Sequence, residues 1–569
     1  MPTASVPPPA AEVLSAERER DPDLWLRALA WSVVAFSIAQ VLLFSFGRDQ
    51  SIYAVIGRGI LEGQMPYRDL WDFKPPGIFF VYASSFALFG QSMIAPRLVE
   101  ALCLFAVVLG CRRLGGALFE SRTAGLMGGA IAALLHAELE FWHTGQPETF
   151  AGALTIGALV LCTHDWSRRR APLAHLLLGA LLGAAFLLKP PLAAPALVCG
   201  GYLALVRRAN GHRLVQQCLP TLCIALGSAV PLLCTGLWFH ARGAWPELAW
   251  TLGDFAPGYT RLSWIGRTPW DLYGYALFEG FFKLSALLGS GLVLAVAFDG
   301  RARVLRGAHA LLFAVAAAQL AGVALQGKFF QYHYAATLPV LSVSAGVGLY
   351  RLWRRFGVGS SLGSVAFVLL LAALTVLRVP VHDLPGGFWA RSVQRLSFLV
   401  SGGRTVSREE LDRDLYYVAD YNLAADRDVA AEIARRIPKS ASVYVWGFEP
   451  ALYWFSERRP ASRFIYNVPQ RATWQAERAR ALLLADLDRD PPRAIVVQHA
   501  DVFPFVTGNA LGSGDSLPAF PALQSRLARD YTFITRVEDF ELHLRREQGG
   551  AAATQDVPVM PIASETRKP

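Results

Sequence analysis

The residues best suited to chemistry crowd between Gly47 and Gly77. Asp49 follows an apolar run, and an amphipathic stretch marked by Ile52, Val55, Ile56 and Ile60 comes next. The segment closes on Pro66-Tyr67-Arg68-Asp69-Leu70-Trp71-Asp72-Phe73-Lys74-Pro75-Pro76-Gly77. A carboxylate at a water–lipid boundary can take the proton of a hydroxyl as a general base. A lysine beside it can meet the charge of a phosphate. A second set, His143, Glu148, Lys189, Lys328 and His333, stands at the ends of other apolar runs. Each residue also has a plain structural role open to it. Asp49 can cap the helix that follows, and Trp71 and Tyr67 can belong to an interfacial aromatic belt. Lys189 and Lys328 can snorkel, Glu148 and His143 can simply end a helix, and His333 can be a packed core histidine.

The elements that must position these residues are apolar. The chain has 569 residues, of which 53% are hydrophobic and 17% charged, against roughly 25% charged in an average globular chain. The charges are clustered: from about Asp383 onward the sequence reads as water-soluble, so the first 380 residues are far more apolar than the mean. That pattern excludes an ordinary soluble enzyme and a disordered protein, and describes a polytopic membrane protein with a soluble appendage. The net charge of +10 comes from 54 Lys and Arg against 44 Asp and Glu. No basic stripe interleaved with aromatics accompanies it, so no nucleic-acid partner is expected. All seven cysteines lie in or beside apolar stretches, with neither a disulfide framework nor a CxxC pair.

Residues 1–24, rich in Pro, Ala and charge, read as a disordered tail. The run Trp25–Phe46 is too long for a signal-peptide core and reads as a retained span. Further spans are expected near 94–114, 121–141, 148–165, 171–188, 190–207, 215–240, 273–298, 308–326, 333–351 and 361–379, about eleven in all. Gly77–Gly90 is short of the ~20 residues a crossing helix needs. If it does not cross, Arg112-Arg113, Arg168–Arg170, Arg207-Arg208, Arg301/Arg303/Arg306 and Arg351/Arg354/Arg355 all fall on the side of the N-terminus. The positive-inside rule favours that arrangement. Gly77–Gly90 is then interfacial or re-entrant, the N-terminus cytoplasmic and the C-terminal domain external. The external loops, 47–93 first among them, carry nearly all the polar residues named above. The expectation is a multi-pass protein of the plasma (inner) membrane.

Residues 381–548 alternate helical and strand patterns. Helices are expected at Asp428–Ile437, Glu449–Arg458, Thr473–Asp488 and Leu523–Asp530, and strands at Ser442–Trp446, Arg493–Gln498, Thr532–Arg536 and Phe540–Arg545. This predicts an external α/β domain with a mixed sheet, followed by a disordered tail at 549–569.

The motifs themselves resemble a family. Asp49-x-x-x-Tyr53 after the first span, Ile60-Leu61-x-Gly63, Pro66-Tyr67-x-Asp69 and Lys74-Pro75-Pro76 before a short helix look like the GT-C glycosyltransferases. Within these they are similar to the protein O-mannosyltransferase-like group (glycosyltransferase family 39-like), which includes the lipid A aminoarabinose transferase. Gly145-Gln146-Pro147-Glu148, Leu187-Leu188-Lys189, Gly327-Lys328-Phe329-Phe330-Gln331-Tyr332-His333-Tyr334 and Val443–Gly447 extend the resemblance over about 45–465. It implies a GT-C fold over 25–380 with interfacial helices in the first external loop. It also implies a hexosyl or pentosyl transferase that moves a sugar, with inversion, from a polyprenyl-phosphate donor to a glycan, lipid or protein acceptor. By the same resemblance Asp49 is the base and Glu148 a second acidic residue near the sugar. Lys74 and Lys189 stabilise the leaving phosphate. Lys328, His333, Tyr334 and Tyr53 line the donor phosphate or sugar, while Tyr67, Asp69, Trp71 and Asp72 shape the first loop or the acceptor site. Many relatives carry Asp-Glu or Glu-x-x-x-Tyr where this chain has Asp49-Gln50. A divalent metal is therefore not favoured, and no cofactor is expected.

The alternative is a transporter or flippase of a lipid-linked glycan, which would need paired broken helices and polar residues at mid-depth. Lys283 and Glu279 are the chief mid-span charges. A third reading makes the external domain a binding module on a scaffold, with the aromatics Trp245, Trp250, Tyr259, Trp264 and Trp270 of the 241–272 loop as sugar platforms or an aromatic belt.

Overall fold

The computed structural model describes residues 23–358, 360–377, 384 and 387–546, with the backbone alone over 301–306. The expected tails lie outside the described residues apart from Asp23 and Leu24, as does the expected boundary at 380–381.

Among the described residues six helices are long and apolar enough to cross a membrane: Leu24–Leu43, Ile94–Phe119, Ala171–Leu188, Pro190–Ala209, Leu214–Ala241 and Ala308–Gln326. Gly77–Phe89, Pro147–Thr163 and Ser361–Leu377 are apolar but shorter. The chain is membrane-embedded, and length and composition support six crossings, or seven if a bent pair counts as one. That pair corrects the continuous span expected at 273–298. Pro269–Phe282 and Ala286–Gly300 meet at 107°. The local chemistry explains the break: Lys283 caps the first helix and pairs with Glu279 one turn back, and Ser285 Oγ accepts from Leu288 N at 3.0 Å to start the second. The span expected from 333 begins later, at Leu338–Phe356, because 331–334 forms a 3-10 turn and Pro339 sits in the first helical turn, where its missing N–H costs nothing.

The C-terminal domain holds a two-residue hairpin, β1 (Tyr417–Val418) and β2 (Tyr421–Asn422), and a five-stranded sheet. The sheet comprises β3 (Ser442–Trp446), β4 (Arg459–Pro460), β5 (Ala494–Gln498), β6 (Tyr531–Val537) and β7 (Phe540–Arg545) in the order β4-β3-β5-β7-β6. β3 pairs in parallel with β4 and β5, while β7 is antiparallel to β5 and β6, so the sheet is mixed as expected. Both β3 and β5 are buried along their whole length, which is why they read as continuous apolar runs rather than alternating ones.

The domain does not hang free. One contiguous apolar core runs from Phe46, Ile52, Tyr53, Trp71 and Tyr82 in the first-loop region to Tyr444, Trp446, Phe464 and Tyr466 in the C-terminal domain. Trp71 is its pivot. Its ring meets Phe255 edge-on at 4.8 Å and Phe464 at 5.7 Å, and its indole N–H donates to Thr251 Oγ1 at 3.0 Å. Truncating a fully buried Trp of this kind costs about 3–5 kcal/mol.

Candidate active site

Asp49 lies in the first turn of the helix Arg48–Leu61, whose N-cap is Gly47. The neighbouring Gln50 is fully buried and fixes this helix end. Its Oε1 accepts from Gly47 N at 3.0 Å, and its Nε2 donates to the carbonyls of Phe141 (2.9 Å) and Thr144 (2.6 Å). A carboxylate at this position has no N–H to give those carbonyls. Arg48 anchors the other flank on Glu449 (3.1 Å) and Asp420 (2.8 Å) of the C-terminal domain.

The Lys74-Pro75-Pro76-Gly77 corner brings a lysine to the aspartate. Gly77 packs so tightly on the end of the Ala171–Leu188 helix that a Cβ there would meet the Leu187 carbonyl at 2.6 Å. That approach sets the corner against the end of the helix that Lys189 closes. Lys74 Nζ donates to Asp49 Oδ1 at 3.1 Å and lies 3.9 Å from Asp72 Oδ2. The other oxygen of Asp49 accepts from Gln146 Nε2 at 3.2 Å, and Gln146 Oε1 accepts from the Tyr53 hydroxyl at 2.8 Å. Gln146 follows Gly145, which holds φ +67° where a Cβ would reach Arg97 and the Tyr82 hydroxyl at 3.0 Å.

Glu148, in the first turn of Pro147–Thr163, forms the second pair. Lys189 Nζ donates to its Oε1 at 2.5 Å, and His333 Nε2 lies 4.0 Å from the same atom. Glu148 Oε2 is buried without a hydrogen-bond partner. Tyr332 stands between the pairs: the Lys189 ammonium is 5.5 Å from its ring, and the rings of His143 and His333 approach at 5.9 and 4.5 Å.

The electrostatics separate the lysines. Burial works against the Lys74 ammonium, but Asp49 and Asp72 outweigh it and hold its pKa above the usual lysine value. At Lys189 burial wins over the Glu148 carboxylate, and its pKa falls below the usual value. Burial raises the Asp72 carboxyl against the pull of Lys74 and of the Tyr466 hydroxyl. Burial alone lowers Lys328 to about 8.

Of the residues expected to bind donor, Lys74, Lys189, His333 and Tyr53 converge here, and Asp72 joins them. Lys328 donates to the Phe505 carbonyl at 2.7 Å and lies 4.0 Å over the ring of Tyr259. Tyr334 turns away: its hydroxyl donates to the Ala276 carbonyl at 3.1 Å, inside an apolar cluster on the bent span. Asp69 is a turn residue that accepts from Met65 N at 2.7 Å and pairs with Arg68. Tyr67, at φ +69°, donates to the Lys74 carbonyl at 2.8 Å and so braces the corner. Among the expected platforms, Trp250 packs on Trp71 (6.1 Å), whereas Trp245 and Trp270 are exposed. Sequence reasoning did not assign a role to Gln146, Tyr332 or Tyr466, although the first two sit inside motifs it had marked. Among the described residues no group of three or more His, Cys, Asp or Glu is arranged to hold a metal ion.

Residues 73–238 match the profile of the family described as dolichyl-phosphate-mannose-protein mannosyltransferase. The chain is similar in structure to ArnT from Cupriavidus metallidurans in the apo state, with a TM-score of 0.53 at 16% identity over 94% of this chain and 98% of that one. The chain has the GT-C fold. The same ArnT bound to undecaprenyl phosphate gives a TM-score of 0.51 at 16% identity, covering 92% and 98% of the two chains. An oligosaccharyltransferase from Archaeoglobus fulgidus follows at 0.47 and 12% identity, over 83% and 69%. No curated protein matches by sequence. The resemblance read from the motifs thus stands.

Proposed function

We propose that the chain is a glycosyltransferase that moves a sugar from a polyprenyl-phosphate donor to a hydroxyl-bearing acceptor at the outer membrane surface, with inversion. The observation that carries this reading is the convergence of two carboxylate–lysine pairs, Asp49–Lys74 and Glu148–Lys189, on one end of the helical bundle. The acceptor oxygen attacks the anomeric carbon while Asp49 takes its proton. The bond from that carbon to the phosphate oxygen breaks, and its electron pair leaves with the phosphate. The charge that develops on the phosphate is met by Lys74 and Lys189, ammonium groups already held in place. Glu148 and His333 border the sugar. A lipid-soluble donor explains why such chemistry is mounted on membrane helices, since its chain stays in the bilayer while its phosphate reaches the surface. The profile match and the undecaprenyl phosphate bound by ArnT support this donor class.

No metal enters this scheme: Gln50, where relatives carry a second carboxylate, serves as a backbone clamp. The N-terminus is placed in the cytoplasm and the C-terminal domain outside, on the arginine distribution. The flippase reading would claim the bent span at 282–286, but Lys283 and Glu279 there neutralise each other on one helix face. The test is radiolabelled transfer from a panel of polyprenyl-phosphate sugars in membranes. Asp49→Asn should abolish transfer while preserving expression and folding; full activity in that variant refutes the role of Asp49.

A further inference from the structure

Tyr466 comes from the C-terminal domain, yet it reaches the catalytic cluster. Its hydroxyl donates to Asp72 Oδ1 at 2.5 Å, across 394 residues of sequence. Asp72 is fully buried, and its other oxygen has no hydrogen bond and faces Lys74 Nζ at 3.9 Å. Lys74 instead sits at hydrogen-bond distance from Asp49, at 3.1 Å. A buried carboxylate needs every donor it has to stay ionised. The phenol is the side-chain donor on Oδ1, while Oδ2 is held only at ion-pair distance by an ammonium that hydrogen-bonds Asp49.

Tyr466 cannot easily swing away. Trp71 N donates to the Arg463 carbonyl at 2.7 Å and forms a β-bridge with Phe464. Asn467 N donates to the Gly447 carbonyl at 3.0 Å, and the Tyr466 ring packs on Phe448 (4.9 Å) and Trp71 (5.9 Å). The other titratable groups around Lys74 and Asp72 are Asp49 and Tyr53 of the first-loop helix, Tyr67, Glu148, Lys189, Tyr259, Tyr332 and His333.

We infer that Tyr466 is a positioning residue for the Asp49–Lys74 pair, acting through Asp72, and that the C-terminal domain is part of the catalytic assembly rather than an appended binding module. The inference rests on the proposed roles of Asp49 and Lys74, but its test does not require turnover. The full-length protein in lipid nanodiscs is acylated with an amine reagent at pH 7.5, and labelling at each lysine is followed by mass spectrometry. The unsubstituted protein is compared with Tyr466→Phe, Asp72→Asn and the double variant. With Asp72 less ionised or uncharged, Lys74 loses proton affinity. Its labelling rises roughly threefold or more in either single variant, and no further in the double variant than in Asp72→Asn. Lys439, exposed on the C-terminal domain, labels equally in all four proteins and controls for reagent, while an unchanged melting temperature reports an intact fold. Asp72→Asn keeps an acceptor for the hydroxyl and so probes the same link without disturbing the packed ring. Unchanged or slower Lys74 labelling in Tyr466→Phe overturns the inference, as do effects of the two substitutions that simply add. Absence of transfer by the unsubstituted protein would count against the glycosyltransferase reading and leave the labelling result intact.

Discussion

The side-chain amide of Gln146 donates to Oδ2 of Asp49 at 3.2 Å, so the two oxygens of that carboxylate have different partners, an amide on one and the Lys74 ammonium on the other. Gln146 is itself fixed by the Tyr53 hydroxyl. Gln146→Leu removes a hydrogen bond to a charged group, worth about 1.5–3 kcal/mol. If the whole of it is felt in the transition state, kcat falls roughly 10- to 100-fold with the donor KM little changed. Single-turnover kinetics with labelled donor measures this. A loss confined to KM would show that Gln146 binds donor rather than orienting Asp49.

Lys189 and Lys74 should set different limits on the pH profile. Lys74 is held above the ordinary lysine value and Lys189 below it. As pH rises, Lys189 therefore loses its proton first, and the leaving phosphate loses that counter-charge. On the proposed roles, the alkaline limb of kcat should follow Lys189. Lys189→Arg, which stays protonated, should move the limb upward even if it lowers the plateau. A limb unmoved by that substitution would assign it elsewhere.

Gln50→Glu should destabilise the first-loop helix rather than create a metal site. Two buried carbonyls, of Phe141 and Thr144, lose their donor and instead face a carboxylate oxygen. The unmet groups cost about 1–3 kcal/mol each. Thermal unfolding in detergent should show a clear drop in Tm that added divalent cations do not restore.

Tyr332 and Tyr334 should separate in activity. Tyr332→Phe removes a hydroxyl that feels both the Asp49 and Glu148 carboxylates, whereas Tyr334→Phe removes one bonded to the Ala276 carbonyl. Transfer should fall in the first variant. The second should lose about 0.5–1.5 kcal/mol of stability and keep its kcat.

Lys328→Met should act on docking. Lys328 ties the loop at 327–330 to the Phe505 carbonyl of the C-terminal domain. Limited proteolysis near 501–512 should quicken, while transfer falls far less than in Lys74→Gln.

The first pair and the second are legible as polar residues set among short motifs at the ends of apolar runs, a position that by itself also suits an interfacial anchor. Asp49, Lys74, Glu148 and Lys189 all announce themselves this way. Within Gln331–Tyr334 the limit is geometric. Tyr332 and Tyr334 stand on one 3-10 turn, and tertiary packing alone decides which of them faces the carboxylates. The break in the span expected at 273–298 was hidden because Leu284 and the flanking phenylalanines keep the hydropathy high across it. In the C-terminal domain β3, β5, β6 and β7 were readable from β-branched runs, whereas β4 is two residues long and includes a proline. Tyr466 carried no signal at all, since nothing in its own segment points to an aspartate 394 residues away.

The core shared by the first-loop region and the C-terminal sheet bears on how the molecule is made. Trp71 and Asp72 emerge from the ribosome early, but Phe464 and Tyr466, against which they pack, come only near the end. Until then an indole and a carboxylate that end up fully covered stand uncovered beside the bilayer. A nascent or truncated chain can therefore insert its helices without possessing a finished pocket. The pocket is complete only once the C-terminal domain packs against the first-loop region.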